Sequence, residues 1–191
     1  AAVAAMGRVG PVADVAVPRL AELLVFDEAA AVRDQAADAL SRIGSSATKL
    51  LTRLLADEDA EVRWRAAQSL GTIRPLAKSA VPALTKALED GNAEVRINAM
   101  EALWAIDPDA KSLIPFLLAE FTNDDRQIRV RAYKLLIAMG EEARPAIERL
   151  RKLTGDDRPF VRQTARKALE SLTSIDGKQT GGSERDSNRY Q

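Results

Sequence analysis

Residues 60–73 read AEVRWRAAQSLGTI and residues 93–106 read AEVRINAMEALWAI. The two stretches share Ala-Glu-Val-Arg and then Ala, Leu and Ile at equal spacing, and the phrase recurs along the chain. Val32-Arg33, Val62-Arg63, Val95-Arg96, Ile128-Arg129 and Val161-Arg162 follow at intervals of 30, 33, 33 and 33 residues. Four positions after each Val or Ile stand Ala36, Ala66, Ala99, Ala132 and Ala165. Eight positions after stand Leu40, Leu70, Leu103, Leu136 and Leu169, and eleven after stand Ile43, Ile73, Ile106, Met139 and Leu172. Offsets of 0, 4, 8 and 11 fall on one face of an α-helix, so each phrase predicts a helix with the same buried edge. Self-similarity at a fixed period marks a repeat architecture.

A second apolar series precedes each phrase. It runs Leu20, Leu23, Leu24; Leu50, Leu51, Leu54, Leu55; Val81, Leu84, Leu88; Ile114, Leu117, Leu118, Phe121; and Ile147, Leu150, Leu153. Pro18, Pro82 and Pro115 stand near three of its helix starts, where the missing N–H costs nothing. Acidic or polar turns such as Asp57-Glu58-Asp59 and Asn123-Asp124-Asp125 join the two helices. The expected organisation is an array over residues 1–173 with helix pairs at about 16–43, 46–73, 77–106, 109–139 and 142–173. Residues 1–9 read as an extra second helix without its first, so the chain reads as trimmed at its start. Residues 174–191, with Gly177, Gly181 and Gly182 among scattered charges, read as a disordered tail.

The composition narrows the chemistry. In 191 residues there are 28 Lys and Arg, 28 Asp and Glu, and neither His nor Cys. This removes Ser-His-Asp catalysis, thiolate chemistry, disulfides and Cys- or His-based metal sites. No apolar run reaches the roughly 18 residues of a membrane span, so no membrane role is expected and the location reads as cytoplasmic. Zero net charge argues against a generally polybasic nucleic-acid binder.

The Pro-led helix, the acidic turn and the phrase Val-Arg-x-x-Ala-x-x-x-Leu resemble HEAT repeats, in particular the short bacterial type found in phycobilin-lyase-like proteins. Ankyrin's Thr-Pro-Leu-His turn and the TPR pattern are absent. The resemblance implies an all-α, right-handed α-solenoid (an α-α superhelix, armadillo-type) of about five helix pairs led by the extra helix. It also implies a ladder of Asp–Arg contacts from a turn residue six positions before each repeat Arg. The members are Asp27 and Arg33, Asp57 and Arg63, Asp90 and Arg96, Asn123 and Arg129, and Asp156 and Arg162. A carboxylate there is favoured by the helix dipole and offers an acceptor to Arg side chains of its own or the adjoining unit. Asn123 carries no charge, so its rung is expected to be weaker.

Catalytic and cofactor patterns fail one by one. Counted from Asp57, an EF-hand loop would need Gly and Glu where Val62 and Gln68 stand. Deoxyhypusine hydroxylase, a HEAT-repeat di-iron enzyme, uses His-Glu pairs that a chain without His cannot supply. Trp64 and Trp104 invite comparison with HEAT-like DNA glycosylases, but their offsets favour packing between units. Phosphate-binding glycine motifs and a Ser–Lys pair are also missing. Neither enzyme activity nor a cofactor is expected.

A binding surface is what remains. Solvent positions of the second helices are expected at offsets +3, +6 and +10, from Gln35, Asp38 and Arg42 through Asn98, Glu101 and Ala105 to Thr164, Lys167 and Ser171. Residues 1–94 carry net −2, whereas residues 126–167 hold 12 basic and 5 acidic side chains, net +7. The expected function is a non-catalytic protein–protein interaction scaffold. It would hold an unidentified protein partner on its concave row of second helices, with Arg65, Glu101, Arg131, Lys134 and Lys167 as contacts. The alternatives are a phycobilin-lyase-like hold on a tetrapyrrole or its acceptor protein, and nucleic-acid binding by the basic C-terminal repeats.

Overall fold

The computed structural model describes residues 15–43, 45–107 and 111–183. The expected helix at residues 1–9 lies outside them. All regular structure among the described residues is helical, and it forms two compact units divided between Ala110 and Lys111.

The first unit contains α1 (Val17–Phe26), α2 (Ala30–Ile43), α3 (Ser45–Leu54), α4 (Ala60–Ile73), α5 (Val81–Ala87) and α6 (Ala93–Ile106). A 3₁₀ helix, Arg74–Ala80, leads into α5. Odd helices pair with the even helix that follows; in addition α1 packs on α3, α2 on α4 and α4 on α6. The repeated apolar offsets form this core: Ala36, Leu40, Ala66, Leu70, Val95 and Ala99 are completely covered. The two helices come close at Gly71 on α4, where an added Cβ would stand 3.0 Å from Ala102 Cα on α6.

The second unit contains a 3₁₀ turn (Lys111–Leu113), α7 (Ile114–Glu120), α8 (Arg126–Ala138), a 3₁₀ helix (Gly140–Ala146), α9 (Ile147–Leu153) and α10 (Pro159–Ser183). Gly140, at φ +57°, follows Met139 at the end of α8, a left-handed stop that suits glycine. The first helices α5, α7 and α9 are only seven residues long, and 3₁₀ turns precede them. In two of these turns alanines three apart, Ala77 and Ala80 and then Ala143 and Ala146, are buried together, because i and i+3 eclipse in a 3₁₀ helix.

Helix α10 continues through residues 174–183, which the composition had assigned to a disordered tail. No proline follows Pro159, and Gly177, Gly181 and Gly182 each weaken a helix by only about 1 kcal/mol relative to Ala. Leu172 is the last buried residue among the described side chains of α10. Residues 184–191 lie outside the described residues.

Candidate partner groove and the repeat turns

Each turn residue chosen from the sequence performs the same backbone task. Asp27, Asp57, Asp90, Asn123 and Asp156 each accept, through Oδ1, the N–H two residues on, at 2.8–2.9 Å. In three turns a second side chain then caps the following helix: Asp59 accepts from the Glu61 N–H, Asn92 from Glu94 and Asp125 from Gln127.

The repeat arginines turn back onto main-chain carbonyls. Nη1 of Arg33, Arg63, Arg96, Arg129 and Arg162 donates to the carbonyl six residues earlier, at 2.7–2.9 Å. The same atom also donates to the carbonyl five residues earlier. The sequence offers the carboxylate to an Arg of its own or the adjoining unit; within each turn the oxygen that Arg meets belongs to the backbone. A side-chain rung does join Arg63 to Asp90 of the next repeat, with Nε to Oδ2 at 2.8 Å and Nη2 to Oδ1 at 3.0 Å. Hydrogen bonding to Arg63 holds the Asp90 carboxyl below its ordinary range.

The second unit departs from that arrangement. Arg129 lies over the Phe160 ring, 4.2 Å from its centroid. Asp156 is gripped by Arg158, with Nε to Oδ1 at 2.9 Å and Nη2 to Oδ2 at 3.0 Å. Those bonds, with the Arg158 N–H, push the Asp156 carboxyl down to about 2.

These aromatic and cationic groups surround a groove between α8 and α10. Arg126, Arg129, Tyr133, Lys134, Phe160 and Lys167 are its chemically distinctive lining, and the cavity measures about 230 Å³. The Tyr133 hydroxyl lies 3.0 Å from Ser171 Oγ, a hydrogen bond from α8 to α10.

Lys134 and Lys167, both expected contacts, are thus brought together and exposed. Arg65 is not available as expected. Its side chain is 17% exposed, donates to the Val25 carbonyl and to Glu61, and stacks beside Trp64 at 5.2 Å. Arg131 is half-buried and has a partner within the chain. Glu101 is half-buried and lines a separate cleft with Gln68, Gly71, Thr72 and Asn98. Asn98, expected at the surface, is 2% exposed, and its Nδ2 donates to the Glu94 carbonyl. Trp64 and Trp104 are half-buried.

Tyr133 and Phe160 were not picked out from the sequence. They stand at offsets +5 and −1, where the other repeats carry Ala37, Ala67, Met100 and Arg166, or Ala31, Glu61, Glu94 and Gln127. Comparing these two columns between repeats would have exposed both aromatic exceptions.

The family model for HEAT repeats matches residues 1–71 and 47–115, more than half of the chain. The chain belongs to the HEAT-repeat family. Its armadillo- and HEAT-type α-solenoid fold recurs in solved structures at low identity. The complex of CpcE and CpcF of phycocyanin lyase from Nostoc sp. PCC7120 is similar at 21% identity, covering 81% of this HEAT-repeat chain and 98% of that chain, with a TM-score of 0.59. A designed armadillo repeat protein in complex with the peptide (KR)4 is similar at 20% identity, over 89% of this chain and 90% of that one, with a TM-score of 0.51. An engineered protein is similar at 24% identity, over 91% and 88% of the two chains, with a TM-score of 0.51. No curated protein matches the chain. Among the described residues of this HEAT-repeat protein, no helix is long and apolar enough to cross a membrane, and no cluster of three metal-ligating side chains occurs.

Proposed function

We propose that this HEAT-repeat chain is a non-catalytic, cytoplasmic binding scaffold that holds a segment of a protein partner against its second helices, with the α8–α10 groove as the main seat. The observation that carries this reading is the groove itself: Lys134 and Lys167 flank Tyr133 and Phe160 on neighbouring repeats. Tyr and Arg side chains gathered at a pocket are typical of the residues that dominate protein interfaces. The designed relative is recorded with a peptide and the lyase relative with a second protein, so the fold accommodates both kinds of partner.

The test is site-specific photo-cross-linking in cells. A cross-linking residue at Lys134 or Lys167 is expected to trap a discrete partner, whereas one at Arg149 or Lys152, exposed on α9, is not. Equal trapping from both pairs of positions, or none from Lys134 and Lys167, overturns the assignment.

A further inference from the structure

We infer that the occupant of the α8–α10 groove is an acidic peptide segment, its Asp or Glu side chains meeting Arg126, Lys134 and Lys167 and one apolar side chain resting on Phe160 and Tyr133. This rests on the scaffold reading and adds the chemistry of the partner.

Charge comes first. Residues 126–167 carry net +7 in a chain of net zero. Among the described residues, Arg126, Lys134 and Lys167 have no ion-pair partner, and all three are exposed. Their charge is therefore available to a ligand, and complementary rim charge raises association rate and selects partners by sign.

The floor is fixed in advance. Arg129 is tied to the carbonyls of Asn123 and Asp124 and covers Phe160. Tyr133 is tied to Ser171, and Thr164 to the Phe160 carbonyl. A preformed floor lowers the ordering cost of binding. On this reading one side chain enters the cavity and the rest of the ligand lies along the rim and the adjoining cleft, which shares Phe160 and Lys167.

Acidic groups bordering the groove favour a peptide over a nucleic acid. Asp124 and Asp125 stand exposed just before Arg126, and Glu170 lies beside Arg166 and Lys167 in the adjoining cleft. A phosphodiester strand bears a charge on every nucleotide and would meet them. An extended peptide alternates its side chains about every 3.3 Å and can present neutral positions there.

The experiment is fluorescence anisotropy on the full chain with four labelled probes. These are a short Glu-rich peptide with one central Leu, its Gln-for-Glu and Lys-for-Glu counterparts, and a short single-stranded DNA. The Glu peptide is expected to bind saturably and tighter than the other three. The double variant Lys134→Glu with Lys167→Glu, both at exposed sites, should retain its melting temperature and lose about tenfold or more of that affinity. Replacing the central Leu by Gly should weaken binding to the native chain. Equal binding of the Glu and Gln peptides, or an unchanged double variant, overturns the inference. Preference for the Gln or Lys peptide, abolished by the double variant, overturns the acidic chemistry and leaves the scaffold reading standing. Preferential binding of the DNA overturns both, as does a lack of binding by every probe together with an absence of cross-links.

Discussion

Arg63 and Asp90 join two successive repeats through a bidentate pair, at 2.8 and 3.0 Å. Their side chains are 18% and 14% exposed, so water screens the pair only partly. Asp90 also accepts the Asn92 N–H at 2.8 Å, and its carbonyl receives Arg96 at 2.8 Å. One turn residue thus ties together its own turn, its own repeat arginine and the arginine of the repeat before.

Because the pair spans repeats, its loss should loosen the stack rather than a single helix. Arg63→Gln and Asp90→Asn are each expected to destabilise the protein. A double-mutant cycle should return a coupling of about 1–2 kcal/mol, between the value of an exposed ion pair and that of a buried hydrogen bond to a charged group. Urea denaturation of the four proteins measures it. Additive losses would show the pair to be energetically idle.

Gly71 sets the distance between α4 and α6. Alanine there gains about 1 kcal/mol of helix propensity, but its Cβ would stand 3.0 Å from the Ala102 backbone. Overpacking of this kind costs about 1–3 kcal/mol. Gly71→Val adds further bulk with a smaller propensity gain and is expected to lose about 2 kcal/mol or more in thermal or urea unfolding. A Gly71→Val protein as stable as the parent would mean that the helices separate freely.

Asp156 should report the Arg158 contact directly. Its folded pKa, about 2, lies below the roughly 3.9 of a free Asp. The ionised form is therefore favoured by folding. Its stabilising contribution is complete above the unfolded pKa and is lost as the pH falls from there through about 2. Carboxyl NMR should find the midpoint near 2 and should find it raised in Arg158→Gln. An unchanged midpoint in that variant would assign the shift to the backbone N–H alone.

The repeat itself was legible because burial is periodic. Val62, Ala66, Leu70 and Ile73 recur at the spacing that puts them on one face, and all four are buried. The turn residues were legible as positions, but not which oxygen each Arg meets within its own turn. Sequence spacing gives Arg63 a neighbour six residues back, yet a carbonyl and a carboxylate at that distance look the same in a string of letters. Arg65 and Asn98 failed for a related reason. An offset assigns a helix face, whereas exposure depends on what lies across from it. Val25 supplies the acceptor for Arg65, and Asn98 turns back onto the Glu94 carbonyl of its own helix.

By itself the sequence determined the helix pairs, their common buried edge and a surplus of positive charge toward the C-terminal end. Tertiary structure alone decided which charges remain open to a partner. It drew Arg65 inward, joined Arg63 to Asp90 of the next repeat, and brought Phe160 and Tyr133 into one groove with Lys134 and Lys167. The reason is physical: a helix face follows from local periodicity, but the groove joins side chains about thirty residues apart, and only the packing of α8 on α10 brings them together.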